Sequence, residues 1–143
     1  MTNDPFDKPY AWYQDLFCRD LLLCNRSEQD WGFINYDKDR VGAIALYYLE
    51  TLHYSRVGRE MLVESLMASI NARLTIGPGL SDPDHLAVVR AVHTAINDPY
   101  DRDSVAHYWS LEDKSTDPNP LFHWLRRHFS NWIPPPSVWE SSE

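Results

Sequence analysis

The sequence predicts an all-α fold, a single compact domain of five or six helices forming an irregular bundle, and three observations lead there. Apolar residues recur at three- and four-residue spacing over most of the chain. An Asp or Asn stands directly before a proline at Asp4-Pro5, Asp82-Pro83, Asp98-Pro99, Asp117-Pro118 and Asn119-Pro120. In such a pair the first side chain caps the opening turn, and the ring supplies a helical φ where no N–H is needed. Alternating strand pattern is nearly absent, with residues 31–36 as the one candidate.

The first helix is predicted over about 8–24, with Tyr10, Tyr13, Phe17, Leu21 and Cys24 on one face, widened by Leu16, Leu22 and Leu23. Residues 25–38 read as a polar connection whose Trp31-Gly32-Phe33 folds back onto the core. The second helix, about 39–55, takes Asp39 as its cap, and its apolar run over 41–49 marks it as the central helix. A third, about 58–74, carries the stripe Val63, Leu66, Met67, Ile70 and Leu74. Gly77-Pro78-Gly79 breaks the chain. The fourth helix starts at Asp82-Pro83 and runs to about 97, burying Leu86, Val89, His93 or Val92, and Ile96. The fifth, about 99–112, shows Val105, Tyr108, Trp109 and Leu111; the sixth, about 120–132, shows Leu121, Trp124, Leu125, Phe129 and Trp132. Residues 1–133 thus form the helical domain, and residues 134–143, opening with three prolines, an extended tail.

Composition excludes several function classes. Six Trp, eight Tyr and five Phe in 143 residues are incompatible with a solvated coil. The 41–49 stretch falls far short of the roughly 18 apolar residues of a membrane span, so no membrane partner is expected. The first seven residues lack a secretory pattern, and two cysteines make no disulfide framework, so a reducing cytoplasm is the default. Acids outnumber bases 21 to 13, a net charge of -8. Each third of the chain carries more acids than bases, which disfavours general nucleic-acid binding. Ten of the thirteen bases are Arg, the cation more often found at protein interfaces.

Chemistry-bearing motifs are few. Glu50-Thr-Leu-His53 has the spacing of half a di-iron site, but Asp82-Pro-Asp-His85 is only an imitation of the second half. His123 and His128, and Cys18 and Cys24, lie too far apart in sequence for paired zinc ligands, and the cysteines read as core thiols. Residues 35–39 start like a calcium loop, then place Arg40 at the turn glycine and Leu46 at the bidentate glutamate. No metal and no cofactor are expected.

Arg102-Asp103-Ser-Val-Ala-His107 resembles the Arg-x4-His signature of the HEPN family, helical proteins that include metal-independent endoribonucleases. The resemblance covers six residues and implies a homodimer. In it Arg102 and His107 meet across the interface, the His as base and the Arg as phosphate holder. The family's frequent tyrosine two residues after the His is here Trp109.

The leading expectation is a small acidic protein-binding module of inhibitor, immunity or adaptor type, which acts by occupying a basic protein partner. Its binding residues are expected among Asp98, Asp101, Asp103, Glu112 and Asp113, an acidic face over 98–117. Trp109, Trp124 and Trp132 are its expected aromatic contacts. An HEPN-like nuclease using Arg102 and His107 is the alternative, and a structural subunit of a larger assembly is the second.

Overall fold

The computed structural model describes residues 5–26, 31–76, 80, 82–105, 124 and 129, without the side chains of Phe33, Ile76 and Asp82. Among the described residues the α-helices run in the order α1 (Tyr10–Leu21), α2 (Trp31–Ile34), α3 (Val41–Glu50), α4 (Arg56–Ile76) and α5 (Asp82–Ile96). A 3-10 turn over Lys38–Arg40 leads into α3, residues 101–105 are helical, and no strand occurs among the described residues. The all-α reading holds, and the strand candidate at residues 31–36 is instead the short helix α2.

The central element is α4, not α3. Met61, Leu62, Val63, Leu66, Met67 and Ile70 are all buried, and so are Ser65 and Ser69 between them. Where a helix is buried this far, its hydroxyls must be satisfied internally. The Ser65 hydroxyl donates to the Asn35 carbonyl at 2.5 Å, and the Ser69 hydroxyl accepts the Asp37 N–H at 3.1 Å. Those two serines masked the burial in the sequence. By contrast α3 leaves Leu46 facing solvent.

Helices α1, α2 and α3 all pack against α4, and α5 lies against α3. Small residues set these distances. A Cβ at Gly58 would come 2.7 Å from Cδ1 of the fully buried Tyr13. At Gly32 it would come 2.9 Å from the Ser65 backbone nitrogen, on top of the Glu64 stem.

The buried face of α5 is Ala87, Val88, Ala91, Val92 and Ala95, while Leu86 is 63% exposed. Of the predicted stripe of Leu86, Val89, His93 or Val92, and Ile96, Val92 belongs to the core and Val89 and Ile96 pack at its edge, while Leu86 and His93 are exposed. Bulk misled the reading, since a close helix contact prefers alanine.

Capping accounts for several boundaries. The Asp37 side chain accepts the Asp39 N–H at 2.9 Å, so the cap stands two residues before the expected Asp39. Helix α1 begins after Pro9 and ends where Leu22 adopts a left-handed conformation with φ 60°. That early stop brings Cys24 back over the last turn, and Cys18 and Cys24 form a disulfide with Cα atoms 4.5 Å apart. A helix running on to residue 24 would separate them by about 9 Å of rise, beyond a disulfide's reach. The expected core thiols are thus a bridge, with Cys24 on the surface.

Candidate functional site

The acidic segment after α5 is built on Asp98. Its Oδ1 accepts the N–H groups of Tyr100 (2.9 Å) and Asp101 (3.0 Å), capping the helix at 101–105 as the Asp-Pro pair predicts. Its Oδ2 receives Arg59 Nη1 from α4 at 3.1 Å. Burial raises the Asp98 carboxyl, but the two N–H donors and the Arg59 guanidinium outweigh it and hold the group below the usual range.

Asp101 differs from its neighbours. It is 1% exposed, Oδ2 accepts the Tyr48 hydroxyl at 2.6 Å, and Arg59 Nη1 lies 3.8 Å away. Burial drives its carboxyl up, against the opposing pull of the Tyr48 hydrogen bond and Arg59. Desolvation likewise raises the Tyr48 phenol far above its ordinary value, with the Asp101 charge adding to it.

The expected acidic face is therefore divided. Asp103 is exposed, Asp98 is partly exposed and paired, and Asp101 is an internal clamp joining α3, α4 and the following helix. Asp101 is corrected from a surface contact to a buried one. Glu112, Asp113, Trp109 and Trp132 lie outside the described residues. Trp124 is only 8% exposed, with its ring set edge-on to His85 at 6.2 Å and tilted against Phe129 at 5.9 Å, so it packs in the core. Arg102 is exposed, and His107 lies outside the described residues.

The metal-like motifs have structural uses. Helix α3 ends at Glu50, and His53 sits in the turn beyond it, its ring 4.8 Å from Phe6 and 4.9 Å from Tyr54. The pair does not share a helical face. The Asn35 amide donates to the Asn25 and Trp31 carbonyls at 2.8 and 2.9 Å, so it ties the segment after α1 to the start of α2. No group of three or more metal-ligating side chains occurs among the described residues.

Among the described residues most cations are engaged within the chain, and Arg90 and Arg102 are exposed. Arg19 pairs with Asp20, Arg26 with Asp15, Lys38 and Arg73 with Asp39, and Arg59 with Asp98. Arg56 lies 4.7 Å over the Tyr100 ring, and Arg40 donates to the Leu21 carbonyl. Glu50, Glu60 and Asp103 meanwhile stand exposed.

Sequence reasoning missed a concavity between α1 and α4. Tyr10, Val57, Glu60, Met61 and Glu64 line a cavity of about 170 Å³. The i, i+4 spacing of Glu60 and Glu64 was visible in the sequence; their meeting with Tyr10 was not.

The chain matches no protein-family model, and no curated protein or solved structure matches it significantly. No helix among the described residues is long and apolar enough to cross a membrane.

Proposed function

We propose that the protein is an acidic binding module that occupies a basic protein partner, in the manner of an inhibitor, immunity or adaptor protein. One observation carries this reading: Arg19, Arg26, Lys38, Arg59 and Arg73 are each paired with a carboxylate of their own chain, while Glu50, Glu60 and Asp103 are exposed. With a net charge of -8, the outward field is negative. Such a field speeds encounter with a basic surface and repels nucleic acid.

A cytoplasmic location belongs to this reading as its expectation from composition. The Cys18–Cys24 bridge weighs against a fully reducing compartment, where such bonds are scarce.

The experiment is capture from native lysate on the tagged protein, with elution by rising salt, run beside a Glu50→Gln/Glu60→Gln/Asp103→Asn variant. A near-stoichiometric basic protein, released by salt and held more weakly by the variant, supports the proposal. An acidic partner, or one held equally by both proteins, contradicts it.

A further inference from the structure

We infer that the Cys18–Cys24 bond is a redox latch: closed, it pins the segment leaving α1 beside α2, and opened by a small-molecule thiol, it releases that segment while the core keeps its fold. This goes beyond the binding-module reading and does not depend on it. The bond joins no two helices of the bundle; it closes a loop of sequence separation six at the end of α1. Cys24 is exposed, and so are Leu22, Asn25 and Arg26 around it, so a thiolate in solution reaches its sulfur without unfolding the chain. Exposed disulfides are the ones that respond to a thiol–disulfide couple.

What the bond holds is a bend that its residues disfavour. Leu22 stands at φ 60°, a left-handed conformation costly to an L side chain, and is 73% exposed. Two other attachments outlast the bond. Leu23 is buried, and Asn25 and Asn35 exchange hydrogen bonds, the Asn25 N–H to Oδ1 at 2.9 Å and the Asn35 amide to the Asn25 carbonyl at 2.8 Å. They keep the freed thiols close together, so the bond re-forms. Without the bond they alone must hold the bend, so the segment opens more often. Asn35 connects it inward, since its amide also reaches the Trp31 carbonyl and its own carbonyl accepts the Ser65 hydroxyl of α4.

Opening consumes two thiols of the glutathione class. The thiolate of the first attacks Cys24 Sγ, the S–S bond breaks, and Cys18 leaves as a thiolate that takes up a proton. The second attacks the small-molecule sulfur of the mixed disulfide and expels Cys24, which is protonated in turn. The chain gains two electrons and two protons, and the two small thiols become one disulfide; the reverse sequence closes the latch.

The test equilibrates the intact protein with stepped ratios of reduced to oxidised glutathione, traps thiols by alkylation and counts them by mass. Amide hydrogen exchange is followed on the same samples. The count should pass from zero to two and return on reoxidation, with helical circular dichroism unchanged. In the reduced form the Leu22 and Asn25 amides should exchange on the order of tenfold faster, while α4 keeps its protection. Cys18→Ser/Cys24→Ser should exchange like the reduced protein at every ratio, and the natural chain gives the comparison without it. A bond that yields to glutathione only in denaturant, a fold lost on reduction, or equal exchange at Asn25 in both forms would overturn the latch.

Discussion

The Tyr48 hydroxyl donates a 2.6 Å hydrogen bond to Oδ2 of Asp101, across 53 positions of sequence. It ties the last turns of α3 to the helix that follows α5, and Arg59 of α4 closes the arrangement. Tyr48→Phe leaves a buried carboxylate short of a donor, so it should cost about 1–3 kcal/mol. Urea unfolding measures this, and an unchanged midpoint would show that the clamp is not a stability element.

Asp98 and Tyr48 of this cluster, with Tyr47 outside it, give stability two pH edges. The Asp98 carboxyl is lower in the folded chain than its ordinary value, so its contribution is present above about pH 4 and is lost as pH falls. Tyr47 and Tyr48 are raised, chiefly by burial, so the folded state keeps their protons after the unfolded chain has released them. Their contribution is present below about pH 10 and is lost as pH rises. Melting temperature followed from pH 3 to 11 should fall at both ends. Asp98→Asn should flatten the acid edge and Tyr48→Phe the alkaline one; edges unmoved by either replacement would refute the assignment.

Burial on α5 separates two substitutions that look alike in the sequence. Leu86→Ser removes an exposed side chain and should change stability by no more than about 0.5 kcal/mol. Ala91→Leu forces three extra carbons into the α3–α5 contact and should cost about 1–3 kcal/mol or more. The opposite order of unfolding midpoints would restore the stripe predicted from bulk.

The Cys18–Cys24 bridge closes a loop with a sequence separation of six. A loop this short constrains the unfolded chain modestly, so Cys18→Ser/Cys24→Ser should lose about 2 kcal/mol. Alkylation of the untreated protein followed by mass measurement should find no free thiol. Two alkylated cysteines in protein isolated without reductant would place the chain in a reducing environment.

Helical spacing and capping chemistry made much of the fold legible. Tyr13, Phe17 and Leu21 are buried as the spacing of the first helix requires, and Asp98-Pro99 opens a helix through the expected side-chain bonds. What escaped depended on events at a distance. Nothing beside Leu22 announces a left-handed turn, so the disulfide it permits was hidden. Ser65 and Ser69 can be buried in α4 only because the Asn35 carbonyl and the Asp37 N–H satisfy them. In the candidate site, charge alone could not separate Asp101 from Asp103. One is enclosed by Tyr48 and Arg59 and the other faces water, a difference fixed by α3 and α4.

The most direct measurement of the central claim is the affinity of the captured partner at rising salt, for the natural protein and for Glu50→Gln/Glu60→Gln/Asp103→Asn. The account predicts a partner of basic charge, an affinity that falls steadily as salt screens the field, and a shallower fall in the variant. An affinity indifferent to salt, with the two proteins indistinguishable, would contradict it.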